Sequence, residues 1–197
     1  LTVTFTLYKF GQLLYPGRTL CGEIALEQIG IPQQALTACS ELSSHLIDCA
    51  LAASLLPKRR PDTHKGDYGR VLAVCGAMGY TGAGYFAAQG IIRTGAGLVF
   101  LGVPERVWSV LAAKLNEAMV FPLPDDDRGF LAGAAFEALD PRLYDCNCLL
   151  VGPGLGRTEG VRRTVFSLLD AADCPVVLDA DGINALAGNI DILSRRR

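Results

Sequence analysis

The sequence RPDTHKGDYGRVLAVCGAMGYTGAGYFAAQGIIRTGAG, residues 60–97, decides the fold of this chain. Its apolar run Val71–Cys75 predicts a strand, and the alanine-rich run Ala83–Arg93 predicts a helix. Gly76, Gly79 and Gly82 form the turn between them. This order brings backbone N–H groups and a helix N-terminus together, which suits a phosphate or another anion. The same glycines are expected where a helix merely packs closely on a sheet, so both interpretations stay open.

The alternation of strand and helix continues along the chain. Short apolar runs that alternate with amphipathic ones predict a mostly parallel α/β sheet with helices on both faces. The runs near residues 71, 148 and 175 are expected to be buried parallel strands of this one sheet, with Gly82, Gly154 and Asp179 at the same edge. The predicted strands are Val71–Cys75, Leu98–Val103, Ala118–Phe121, Cys148–Val151 and Pro175–Leu178, and the predicted helices are Ala83–Arg93, Arg106–Leu115, Leu131–Leu139, Val161–Ala171 and Gly182–Ala187.

The segments outside this pattern are less regular. Leu1–Phe5 alternates like a strand, and residues 38–56 have Leu42, Leu46, Ile47 and Leu51 at helical spacing before Pro57. Residues 58–61 form a basic connector, which is either a solvated linker or a phosphate contact. Residues 122–128, with three consecutive aspartates, are expected to form an exposed loop.

Composition narrows the class of protein. With 197 residues, 50% hydrophobic and 19% charged, the chain is globular, and a net charge of −2 gives no sign of nucleic acid or an anionic membrane as partner. Seven cysteines without a Cys-x-x-Cys pair, and only two histidines, indicate a reducing cytoplasm and give little support for a metal centre. The dinucleotide Gly-x-Gly-x-x-Gly, the P-loop and the serine elbow Gly-x-Ser-x-Gly are absent from the sequence.

Three of the predicted strands end in residues suited to a binding site. In an open parallel sheet, ligands bind at the carboxyl ends of the strands. Turns occupy that position at residues 76–83, at Gly152-Pro153-Gly154-Leu155-Gly156 and at residues 179–184. Asp179 and Asp181 are suited to capping the next helix, to holding a cation through phosphate, or to bonding a hydroxyl, and the sequence leaves these roles open.

Four segments together resemble one family. They follow the order and spacing of the NAD(P)H-hydrate dehydratases, which implies a ribokinase-like three-layer α/β/α fold for residues 38–197, as its N-terminal part. Residues 1–37 resemble the C-terminal tail of a Rossmann-like NAD(P)H-hydrate epimerase domain, which implies a bifunctional repair enzyme. Departures from the family pattern are Cys75-Gly76-Ala77 for Gly-Gly-Ser and Gly182 for Ala. The four segments are DTHKGDYGRVLAVCGAMGYTGA, RTGAGLV, LLVGPGLG and PVVLDADGINALAG.

The resemblance also implies an activity. Such an enzyme uses ADP or ATP, with Mg²⁺, to dehydrate (6S)-NAD(P)H hydrate back to NAD(P)H, and the epimerase part interconverts the hydrate's epimers. A homo-oligomer without nucleic-acid or membrane partners is expected at full length. Ala83 and Gly154 are expected to contact the substrate, and the catalytic residues are expected beyond Arg197. The rim and phosphate candidates are His64, Lys65, Gly82, Gly152, Gly156, Asp179, Asp181 and Asn184.

The sequence leaves two other functions open. A small-alcohol or vitamin-precursor kinase of the same fold would share the glycines at the strand ends. A non-catalytic remnant would only bind nucleotide or another chain. Because the family's Gly-x-Gly-Asp turn is not in this sequence, the 197-residue chain itself is expected to show no dehydratase turnover.

Overall fold

A computed structural model describes residues 1–39, 44–56 and 58–195. It contains two compact units, Leu1–Leu55 and Leu56–Arg197. In the first unit, the predicted strand at the start of the chain is confirmed as β1 (Thr2–Phe5), and it pairs in parallel with β2 (Ile24–Glu27), which the sequence did not predict. Short helices complete this unit: α1 (Phe10–Leu13), α2 (Gly17–Cys21), α3 (Gln33–Thr37) and α4 (Cys49–Leu55).

The helix predicted over residues 38–56 is much shorter than expected. Among the described residues of that range, only α4 is helical, while Leu42 and Pro57 lie outside the described residues. The Asp48 carboxylate accepts a hydrogen bond of 2.8 Å from the Leu51 N–H. A side chain that caps a helix in this way fixes where it begins, which explains the later start.

The second unit is built on a parallel five-stranded sheet. Every strand lies within two residues of its predicted bounds, so the prediction of a mostly parallel sheet is confirmed. A 3₁₀ turn (Lys65–Tyr68) precedes the first strand, and another (Ile190–Arg195) follows the last helix. The strands are β3 (Arg70–Val74), β4 (Leu98–Pro104), β5 (Met119–Leu123), β6 (Cys148–Val151) and β7 (Val176–Leu178). Their order across the sheet is β5-β4-β3-β6-β7.

Helices cover both faces of this sheet and complete three layers. Side chains of β3 show why, because successive residues of a strand point to opposite faces. Leu72 and Val74 pack into the core formed with helices α7 (Ala135–Leu143) and α8 (Glu159–Ala171). Ala73 and Cys75 pack into the core formed with helices α5 (Thr81–Thr94) and α6 (Glu105–Lys114). A further helix, α9 (Asp181–Ala185), follows β7.

Two details of the second unit differ from the sequence-based expectation. β7 was expected to be buried, but it is an edge strand of the described sheet and its Val177 is 53% exposed. Helix α7 begins four residues later than predicted, because the preceding loop is held by its own hydrogen bonds. The Ala132 N–H donates to the Pro124 carbonyl at 3.0 Å, which keeps residues 124–132 out of the helix.

Candidate functional site

The turns that follow β3, β6 and β7 meet at one edge of the sheet, as expected for neighbouring parallel strands. Hydrogen bonds join the first two turns. The Gly76 N–H donates to the Pro153 carbonyl at 2.8 Å, and the Gly152 N–H donates to the Val74 carbonyl at 3.1 Å. The third turn continues the ladder, since the Asp179 N–H donates to the Val151 carbonyl at 3.0 Å. The carboxyl edge is therefore one connected surface of backbone.

Gly154 lies directly against the first turn of α5. It has φ +69°, and a Cβ built on it would lie 2.6 Å from the Cβ of Ala83 and 3.0 Å from the Cβ of Tyr80. The two residues expected to contact substrate are thus brought together. From the sequence, a side chain at Gly154 is expected to weaken substrate binding far more than folding, because it would clash with the ligand. The reason for this expectation is wrong, because the side chain would first collide with the protein itself.

Asp181 holds the glycine turn after β6 in place. Its Oδ2 accepts a hydrogen bond of 2.9 Å from the Gly156 N–H. Its Oδ1 accepts one of 3.0 Å from the Asn184 side chain and lies 3.6 Å from Arg157 Nε. The side chain is 20% exposed. Helix-capping, one of the roles left open for this residue, is wrong here, because the N-cap position of α9 is Ala180 and no side chain caps it.

Asp179 differs from Asp181 in having its carboxylate in solvent. Within the described part of the chain, no hydrogen bond or ion pair involves that carboxylate, although the main-chain carbonyl of Asp179 accepts one from the Gly182 N–H at 2.9 Å. An exposed and unneutralised carboxylate at the carboxyl end of a strand is available to a ligand or to a cation bound with it.

Cys75, one of the departures from the family pattern, lies next to this edge. The residue is completely buried. Burial raises the pKa of its thiol far above the ordinary value; a hydrogen bond from the Gly152 N–H partly opposes this, and the nearby Asp179 charge adds a smaller increase. Because the sulfur is buried and protonated at neutral pH, it is not accessible to a ligand or a metal ion.

Gly82 and the residues before it leave open space over the edge. Gly82 is exposed, and no atom lies within 4 Å of a Cβ built on it. Tyr80, at the N-cap position of α5, makes no side-chain cap hydrogen bond, and both Tyr80 and Met78 are exposed. The open space at Gly82, next to Ala83, is where a ligand can approach the helix without displacing protein.

A further loop borders the site, and its position there was not predicted from the sequence. Residues 122–128 are not the simple exposed loop expected, because the Arg106 N–H donates to the Asp125 carboxylate at 3.0 Å. The Phe130 N–H bond to Asp126, with Arg128 contributing, keeps the pKa of that carboxyl below its usual value. The Gly129 carbonyl then accepts a hydrogen bond of 3.1 Å from Met78, which ties the loop to the turn after β3.

His64 and Lys65 do not lie at this edge. They precede β3, and the Gly97 N–H donates to the Tyr68 carbonyl at 3.1 Å, which places the 3₁₀ turn beside the amino ends of β3 and β4. The expectation that they shape the rim is therefore not met. They line a separate cavity of about 310 Å³, together with Arg59, Arg60, Thr63, Tyr68, Ala96 and Gly97.

Across residues 1–39, 44–56 and 58–195, no three His, Cys, Asp or Glu side chains cluster so as to hold a metal ion. None of the helices in these same stretches has both the length and the apolar character needed to cross a bilayer.

Replacing Asp181 by alanine is expected to lower the free energy of unfolding by about 1–3 kcal/mol, because the Gly156 N–H loses a charged acceptor. Urea denaturation followed by circular dichroism measures this difference. Asp179→Ala is the matched control, since the same side chain is removed from an exposed, unpaired position two residues away, and it is expected to leave stability unchanged. Equal losses in the two variants would contradict the structural role given to Asp181.

Comparisons with known proteins agree with this geometry. Residues 71–197 match the family model described as NAD(P)H-hydrate dehydratase. Over 193 residues the chain is 42% identical to the bifunctional NAD(P)H-hydrate repair enzyme Nnr of Moorella thermoacetica, covering 98% of this chain and 36% of that protein. The solved ADP/ATP-dependent NAD(P)H-hydrate dehydratase of Bacillus subtilis, co-crystallised with ATP/Mg²⁺, is 29% identical with a TM-score of 0.53, covering 68% of this chain and 44% of that one.

A ribokinase-like superfamily protein of Enterococcus faecalis superposes with a TM-score of 0.59 at 24% identity, covering 68% of this chain and 45% of that one. This likeness concerns the fold alone, and it agrees with the expected α/β fold. The chain spans only about 36% of the length of the curated relative from Moorella thermoacetica.

Proposed function

This chain belongs to the NAD(P)H-hydrate dehydratase family, and from that premise we propose that its carboxyl edge binds hydrated NADH or NADPH for dehydration back to the intact cofactor. The observation that carries the proposal is the meeting of the first turn of α5 with the glycine turn after β6, at Ala83 and Gly154. The open space at Gly82 lies beside that contact. The rival kinase and remnant functions have no comparable support.

In the proposed reaction, an adenine nucleotide supplies the phosphoryl group that turns the ring hydroxyl of the hydrate into a leaving group. The described residues position the substrate for this chemistry. Backbone N–H groups of the glycine turns are neutral donors able to approach phosphate oxygens closely, which a turn lined by side chains would prevent. Asp181 holds the turn after β6 in place through its hydrogen bond with Gly156. Catalysis of this kind rests on positioning and on stabilisation of charge.

The residues present fit Mg²⁺ bound with the nucleotide. Mg²⁺ prefers oxygen ligands and is usually held by one or two carboxylates, water and substrate phosphates. Asp179 supplies one exposed carboxylate at the correct edge, and the described residues contain no cluster of three ligands that would form a cage without the nucleotide. When bound, the ion would neutralise phosphate charge, and Asp179, after β7, and Asn184, in α9, are the side chains that would hold it. Use of ADP, ATP or both belongs to this proposal.

For the first unit we propose that residues 1–37 are the tail of an epimerase-type domain and that the dehydratase part begins near residue 38. This assignment is supported by the alignment with the bifunctional Moorella thermoacetica relative, which extends over 98% of this chain. The whole protein would then both epimerise and dehydrate the hydrate, in the cytoplasm and as a homo-oligomer.

Calorimetric titration of the purified chain with (6S)-NADH hydrate, with and without ADP and Mg²⁺, tests the proposed function. We expect saturable binding of the hydrate and much weaker binding of intact NADH, which lacks the ring hydroxyl. Binding of a vitamin-precursor alcohol in place of the hydrate would favour the kinase. Binding of neither class of substrate would favour the remnant and overturn the proposal.

A further inference from the structure

Two thiols lie close together at the amino ends of β6 and β7, away from the candidate site. The Sγ atoms of Cys146 and Cys174 are 3.5 Å apart, although the residues are separated by 28 positions in sequence. The surrounding backbone is held in register, since the Leu149 N–H donates to the Pro175 carbonyl at 3.0 Å. Cys146 and Cys174 each lie two residues before one of these strands, so the pairing of β6 with β7 holds the two loops side by side.

A third cysteine provides a contrast. Cys146 and Cys174 both pack against the core formed with α7 and α8. Cys148 is two residues from Cys146 and also half-buried, but it does not belong to that core. Cys146 and Cys148 are close in sequence, but Cys146 is the one that shares a core with Cys174, which makes it the expected partner.

Small reagents have a route to this pair. Cys174 lines a cavity of about 690 Å³ bordered by Pro175, Leu178 and Ile192. Burial, followed in size by the hydrogen bond and charge of Cys174, raises the pKa of Cys146 to about 12. The raised pKa favours the protonated thiol of Cys146 at neutral pH.

We propose that Cys146 and Cys174 form an intramolecular disulfide when the protein meets a small-molecule disulfide. The Cys174 thiolate attacks one sulfur of the reagent, the reagent's S–S bond breaks, and one small thiol leaves. The Cys146 thiolate then attacks the Cys174 sulfur of the mixed disulfide and releases the second small thiol. The two cysteine protons end on the two released thiols, so one disulfide is reduced as one is formed.

The test uses the full 197-residue chain with Cys21, Cys39 and Cys49 replaced by serine, which removes the thiols of the first unit. The protein is incubated with oxidised glutathione at about pH 8.5, where more thiolate is present. Tryptic peptides are then separated without reductant. We expect a linked pair of peptides, one ending at Arg157 and the other containing Cys174, in this background and in Cys148→Ser. We expect no linked pair in Cys146→Ser.

Each other result would overturn the proposal. Linkage that persists in Cys146→Ser would show that Cys148 is the partner, and glutathione retained on both cysteines would show that the two sulfurs do not meet. A second measurement guards against linkage in unfolded protein. The oxidised form should melt about 5 °C or more above the reduced form, because closure of a long loop restricts the unfolded chain. A lower melting temperature would show that the linkage distorts the fold.

Discussion

Replacing Gly152 by alanine is expected to lower the free energy of unfolding of the second unit by about 4 kcal/mol or more. Gly152 has φ +130°, and a Cβ built on it would collide with the Asp179 carbonyl and lie 2.7 Å from the Gly182 nitrogen. All of these atoms are backbone, so no side-chain rotation relieves the overlap. The turn after β6 and the start of α9 would have to separate. Urea denaturation followed by the fluorescence of Trp108, the one tryptophan of the chain, measures the loss.

Gly90→Ala is the matched control for this variant. Gly90 is an exposed residue of α5, and no atom lies within 4 Å of a Cβ built on it. Alanine is the better helix former, so this variant is expected to gain up to about 1 kcal/mol. If Gly152→Ala unfolded at the same urea concentration as the parent chain, the close packing of the turns after β6 and β7 would be refuted.

Replacing Gly82 by leucine is expected to weaken binding of (6S)-NADH hydrate about 100-fold while leaving stability nearly unchanged, because the added side chain occupies space needed by the ligand and meets no protein atom. Gly82 is exposed and helical, and a Cβ on it would touch nothing within 4 Å. Titration calorimetry and thermal melting separate the two effects.

Gly90→Leu places the same side chain on the same helix two turns further from the site. It is expected to bind the hydrate as tightly as the parent chain. Equal affinity in the Gly82 variant and the parent would exclude the first turn of α5 from the binding surface, and equal losses in the two variants would indicate a general effect on α5.

The sheet could be predicted from the sequence because each strand is a short apolar run bounded by glycine, proline or aspartate. In a parallel sheet covered on both faces, such runs have few alternative structures. The first unit was harder to predict, since β2 (Ile24–Glu27) has only four residues and none is fully buried. The burial of β7 was overestimated because the composition of a strand does not show whether a neighbour covers it.

The site was predicted less completely. Which strand ends meet could be predicted, but the role of Asp181 could not, because its bond to Gly156 joins residues 25 positions apart. The misplacement of His64 and Lys65 was avoidable, since residues immediately before a strand lie at its amino end and ligands of such sheets bind at the other end. The resemblance grouped residues that are close in sequence without distinguishing the two ends of β3.

The strand order has a consequence for where a ligand can lie. From β3 the chain moves outward through β4 to β5, then returns to the other side of β3 and moves outward again through β6 to β7. The boundary between β3 and β6 is therefore a topological switch point: α5 leaves β3 toward one face, and α8 leaves β6 toward the other. Ligands of open α/β sheets bind at such a switch point, and here the bond from Gly76 to Pro153 joins the two turns that lie on either side of it.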